Sequence, residues 1–159
     1  MFERDRAASV GGMSLPASPR PLTRSGRIAG GLGLGLIGAI HVVWATGSSW
    51  PARTRPELAR AVVGSEEMPG PVPSGIVAVG ALAAGVAVSG AAGESGVVRT
   101  ARVLAAAGVL ARGGAGGVLA CRLLKLPEPG ETFRRLDARV YRPLCLALGI
   151  ALLIGARRR

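Results

Sequence analysis

Five residues of this 159-residue chain have side chains and spacing that could do chemistry: His41, Trp44, Arg112, Asp137 and Tyr141. A histidine, a carboxylate and a guanidinium brought together could handle a proton, an ion or a small polar ligand. His41 and Trp44 are three apart and share a helix face. Tyr141 lies one helical turn past Asp137. The functional reading is a polar pocket open to one side of a membrane. The competing reading makes Trp44 and Trp50 interfacial anchors, His41 a hydrogen-bonded residue inside a bundle, and the others helix caps. Covalent and metal chemistry lack their usual pairs. His41 has no identifiable Ser or Cys partner, and one histidine cannot ligate a haem from both sides. Cys121 and Cys145 form neither a C-x-x-C pair nor a zinc spacing. They also fall about 12 Å apart in depth, too far for a disulfide. No metal and no cofactor are expected, and an enzyme is the least supported class.

What has to position these residues is a set of membrane helices. Hydrophobic residues make up 49% of the chain and charged ones 18%, with mean hydropathy +0.41, whereas a soluble domain is about a quarter charged. Four apolar runs predict spans at about 28–46, 74–92, 98–121 and 137–156, each long enough to cross a hydrocarbon layer of about 30 Å. The expected fold is all-α, a four-helix transmembrane bundle with both termini cytoplasmic. Residues 1–25 mix Ser, Pro, Gly and Arg without periodicity and read as a disordered basic tail, 26–156 as the membrane domain, and 157–159 as a second basic tail. Gly31, Gly35 and Ala39 recur every four residues, as do Ala81, Gly85 and Ser89. Both stripes invite close helix approach. Between the first two runs, Thr54-Arg-Pro-Glu57 fits a capping box with proline in the first turn. It predicts a short linker helix on the membrane surface.

The net charge of +11 would suggest nucleic acid in a soluble protein. Here the basic residues punctuate apolar runs, so they read as topology signals and lipid contacts, and no nucleic-acid partner is expected. Arg4, Arg6, Arg20, Arg24 and Arg27, then Arg99 and Arg102, then Arg157, Arg158 and Arg159 fall on one side. Arg53, Arg55, Arg60, Arg122, Lys125, Arg134 and Arg135 fall on the other, a modest bias that puts both ends inside. Arg112 stands midway between Arg102 and Arg122, near the bilayer centre. A charge there costs at least about 2.5 kcal/mol on insertion scales and must face protein or water. Its expected acceptors are backbone carbonyls freed by Pro143, with Tyr141 and water. Asp137, placed at the outer end of its helix while Arg112 lies about 14 Å below that level, is not expected to reach it.

Three blocks carry a resemblance: Ile40-His-Val-Val-Trp-Ala-Thr-Gly, Leu110-Ala-Arg-Gly-Gly-Ala-Gly-Gly, and Phe133-Arg-Arg-Leu-Asp-Ala-Arg-Val-Tyr-Arg-Pro-Leu-Cys-Leu-Ala-Leu-Gly. Over about residues 27–156 the chain resembles a family of small four-helix bacterial membrane proteins of unknown function. The resemblance implies a fold and a membrane location and brings no activity. Its matching positions here are His41, Trp44, Arg112, Asp137, Tyr141 and Pro143. The first functional expectation is a small structural or partner-binding subunit of the inner (plasma) membrane. Its partners would be the lipid bilayer and either a second copy or another membrane protein. The alternative is a binding or transport module for a small ligand, ion or proton.

Overall fold

The computed structural model describes residues 21–123, 125 and 127–157, and among them every regular element is helical. Helix α1 spans Pro21–Ala45, α2 Arg55–Val62, α3 Pro71–Ser89 and α4 Gly96–Leu123; α5, Glu131–Leu136, runs through a π-helical turn, Asp137–Tyr141, into α6, Arg142–Ala156. Four helices are long and apolar enough to cross a membrane: Pro21–Ala45, Pro71–Ser89, Gly96–Leu123 and the continuous Glu131–Ala156. The protein is a four-helix, multi-pass membrane protein.

Two boundaries differ most from the sequence expectation. The tail lies outside the described residues as far as position 20, but its last five residues are helical. Proline suits a first helical turn because its fixed φ and missing donor cost nothing there. Thr23, Gly26 and Arg27 are then buried. A Cβ on Gly26 would fall 2.7 Å from the Gly155 amide nitrogen and 2.8 Å from the Ala151 carbonyl oxygen, so the start of α1 is held against the end of α6. Packing rather than composition orders this first turn. The fourth span begins at Glu131, six residues ahead of expectation, because its polar first turns continue directly into the apolar part.

Leu34, Val88, Ala106 and Leu152, one from each span, form the buried centre. Ala84, Val109 and Leu148 pack around it. Helix α1 packs along α3, α4 along α6, and α1 against α6. Each small-residue stripe was expected to admit a close helix, and the two admit each other: a Cβ on Gly85 would lie 3.3 Å from the Gly31 carbonyl oxygen. Leu36, Val79, Leu104 and Ile150 point outward, as lipid-facing residues should. The starts of α1 and α4 and the ends of α3 and α6 share one end of the bundle, called here the terminal end; the opposite end carries α2 and α5.

Helix α2 has the predicted capping box. The Thr54 hydroxyl accepts from the Glu57 amide at 3.3 Å, and the Glu57 carboxylate accepts from the Thr54 amide at 3.2 Å. The helix does more than link, for Leu58 and Ala59 are buried, Tyr141 donates its hydroxyl to the Ala61 carbonyl at 3.2 Å, and the Gly130 amide donates to the Gly64 carbonyl at 3.0 Å. Thr54→Ala should therefore cost about 1 kcal/mol of stability. A thermal melt in detergent micelles with no shift would show that the tertiary contacts alone hold α2.

Candidate functional site

The site begins with a run of glycines. Arg112-Gly-Gly-Ala-Gly-Gly interrupts α4, because Gly116 takes φ 73° and ψ 169°, a conformation favouring glycine. A Cβ there would also fall 2.9 Å from a carboxylate oxygen of Asp137. The interruption gives polar backbone groups to the interior, and side chains of the fourth span receive them. Arg142 donates to the Gly113 carbonyl from Nε at 3.1 Å and to the Gly114 carbonyl from Nη2 at 2.9 Å. Asp137 Oδ2 accepts the Gly117 amide at 2.8 Å.

The other oxygen of Asp137 holds Arg112, with Nη2 to Oδ1 at 2.6 Å. This corrects the expectation that the two are too far apart in depth and that Arg112 turns to carbonyls near Pro143. With the span beginning at Glu131, Asp137 lies about 9 Å below its start, and the long arginine side chain closes what remains. The π turn places Asp137 here. The Arg142 amide donates five residues back, to the Asp137 carbonyl, and Pro143 follows with no donor of its own. A widened turn accommodates the proline, and such turns are frequent at functional sites. The Asp137 carboxylate is almost fully buried, whereas a third of the Arg112 side chain is exposed. Arg112 Nη1 is itself buried and has no hydrogen-bond partner among the described residues.

Around this pair, Phe133 is buried against Gly117 and its ring centre lies 6.3 Å from that of Tyr141. Arg112, Asp137 and Tyr141 are thus brought together at the α2–α5 end. His41 and Trp44 form a separate group. Their rings lie 4.9 Å apart and His41 Nδ1 is 2.7 Å from the Ile37 carbonyl oxygen, so Nδ1 carries the proton. Trp44 donates from Nε1 to the Trp50 carbonyl at 2.8 Å. These two rings line a cavity of about 140 Å³ with Val62, Met68 and Ser74. The last turn of α2 stands between the groups, with Ala61 bonded to Tyr141 and Val62 lining the His41 cavity.

At the terminal end is a polar cluster of another kind. Glu94, in the turn between α3 and α4, accepts from Arg102 Nη1 at 2.8 Å and from Arg27 Nη1 at 2.7 Å. Arg102 also donates from Nε to the Ala87 carbonyl at 2.6 Å and from Nη2 to the Gly93 carbonyl at 2.8 Å. Arg27 Nε reaches the Gly155 carbonyl at 3.1 Å. Both arginines are buried. Hydrogen bonds from Arg102 first, opposed by burial and reinforced by Arg27 and by the charge of both, hold the Glu94 carboxyl at about 2, below its ordinary 4.5. One carboxylate thereby joins all four spans: α1 and α4 through the arginines, and α3 and α6 through the carbonyls those arginines hold.

The model of a family described as "Protein of unknown function (DUF3995)" matches residues 34–152, three quarters of the chain. The chain belongs to that family. No curated protein and no solved structure matches it. The span matched to DUF3995 takes in His41, Trp44, Glu94, Arg102, Arg112, Asp137 and Tyr141 and leaves Arg27 outside.

Sequence reading missed Glu94, Arg102, Arg27 and Arg142 as site-forming residues. One signal was available for Glu94, which is the only carboxylate between Glu67 and Glu128. Among the described residues no group of three or more His, Cys, Asp and Glu could hold a metal ion. Cys121 and Cys145 are both free thiols.

Proposed function

We propose that this protein is a non-catalytic subunit of the inner (plasma) membrane, which keeps its helices in a fixed frame and joins a membrane-protein partner. The observation that carries this reading is where the charges go. Arg112 and Asp137 engage each other and the broken backbone of α4, Arg142 holds that same backbone, and Arg27 and Arg102 share Glu94. Groups that a transporter or an enzyme would keep for a ligand are occupied in joining helix to helix. Extraction from native membranes into lipid nanodiscs, followed by mass photometry and proteomics, tests the reading. The expected result is an assembly heavier than the 16.0 kDa chain with one partner in fixed ratio. A monomer that carries a stoichiometric small molecule would overturn it.

That last outcome would favour a second reading, a binding module for a small polar ligand, ion or proton. Its support is the unpartnered Nη1 of Arg112 beside a π turn. Buried donors are normally satisfied, and exceptions call for an explanation such as a bound acceptor.

The arginine bias favours a cytoplasmic terminal end. In a chain lacking Cys121 and Cys145, Ser65→Cys is expected to react with a membrane-impermeant thiol reagent in intact cells and Ser14→Cys only after lysis. Labelling of Ser14→Cys from outside would reverse the orientation.

A further inference from the structure

The face between α1 and α3 holds a groove of about 440 Å³ that the bundle itself does not fill. Ile28, Leu32, Leu82 and Val86 wall it, over a floor of glycines. Gly31 and Gly85 touch across the floor, whereas at Gly35 an added Cβ would meet nothing within 4 Å, so the trough above that contact is open. Its terminal end is polar and positive. Arg27 lines it there, and the two buried arginines of the terminal cluster share one glutamate, leaving a net charge of +1. Arg24 stands one turn nearer the end of α1, on the same helix face as Ile28 and Gly31. It is exposed and makes no ion pair among the described residues. An apolar trough running into the membrane from a doubly positive mouth matches one kind of molecule, an anionic phospholipid.

We infer that this groove takes an acyl chain of an anionic phospholipid whose phosphate sits at Arg24, beside the Arg27–Glu94–Arg102 cluster. Basic pockets between membrane helices recognise such headgroups through charge, and burial of the chain supplies the remainder. The site is separate from the Arg112–Asp137 group and does not depend on which partner the protein joins.

The test is native mass spectrometry of the full chain in detergent, with phosphatidylglycerol or phosphatidylcholine of identical acyl chains. One phosphatidylglycerol should be retained over phosphatidylcholine by about fivefold or more, the factor that one arginine near a lipid phosphate contributes. Arg24→Gln should bring the two lipids towards parity. Gly35→Leu adds its Cβ where nothing lies within 4 Å, narrows the trough, and should lose both. Phosphatidylglycerol with a photoreactive acyl chain should cross-link to peptides carrying Leu32, Leu82 or Val86 in the unmodified chain, a readout that needs no variant to fold. Equal retention of the two lipids, unchanged retention in Gly35→Leu, or cross-links spread evenly over outward residues such as Val103 and Ile150 would each overturn the inference. Displacement of the lipid by inorganic phosphate alone would reduce the site to an anion site, and a dimer abolished by Gly35→Leu would assign the groove to a second copy. Either result also overturns it.

Discussion

Asp137→Leu is expected to destabilise the protein by about 3–5 kcal/mol, the usual cost of leaving one member of a buried ion pair without the other. The cost has two parts. Arg112 loses its one acceptor among the described residues, and the Gly117 amide, beside the Gly116 break, loses its own. Arg112→Leu should be milder. Arg112→Leu leaves no stranded guanidinium, a group that stays charged at any accessible pH. The Gly117 amide also keeps its acceptor in that variant. The double replacement Arg112→Leu with Asp137→Leu should recover much of the loss, since removing both charges avoids leaving either one buried alone. Unfolding in mixed micelles would rank the three variants. Equal stability of Asp137→Leu and the unmodified chain, or a double variant no better than Asp137→Leu alone, would contradict the pairing.

The second large effect is expected at Glu94. Glu94→Ala leaves Arg27 and Arg102, 5% and 1% exposed, facing each other without their shared counter-charge. A loss of about 2–3 kcal/mol at neutral pH follows from the charged hydrogen bonds involved. The same carboxylate gives the protein an acid limit. Its folded value of about 2 lies below the ordinary 4.5, so its contribution is complete above about 4.5 and falls away as the pH drops from there towards 2. Stability followed from pH 7 to pH 2.5 should decline in that window for the unmodified chain. In Glu94→Gln the decline should be shallower, and the difference between the two curves should be constant above pH 5. Parallel curves throughout would remove Glu94 as the source of acid sensitivity.

The membrane architecture was legible because it rests on composition and length. Four runs, their order, the small-residue faces of α1 and α3, and the Thr54–Glu57 capping box all follow from local pattern, and the structure has each of them. The polar interior was not legible, for a reason that is also physical. The Arg112–Asp137 pair depends on where a helix starts and on a turn with one residue too many, and both are decided by Pro143 and by packing on α2. Placing Asp137 at a helix end made a 2.6 Å contact look out of reach. Arg27 and Arg102 were read as topology signals because arginine at the ends of apolar runs usually is. Their burial becomes visible only when α1, α4 and α6 are brought together around Glu94. The five residues singled out from sequence do lie at one end of the molecule, divided by α2 into two groups.

The Arg112–Asp137 pair also bears on how this chain enters a bilayer. Its members are 25 positions apart, on successive spans. During synthesis α4 therefore emerges with a charge inside its apolar run whose counterion has not yet been made. A lone span of that kind partitions poorly into lipid, so α4 is better inserted together with the helix that brings Asp137, which turns a lone charge into a pair. Arg27 waits longer still, 67 residues for Glu94 and 128 for the Gly155 carbonyl. Helix α1 thus has Arg27 fully satisfied only after α6 is made, and these four helices close into a bundle only when α6 is in place.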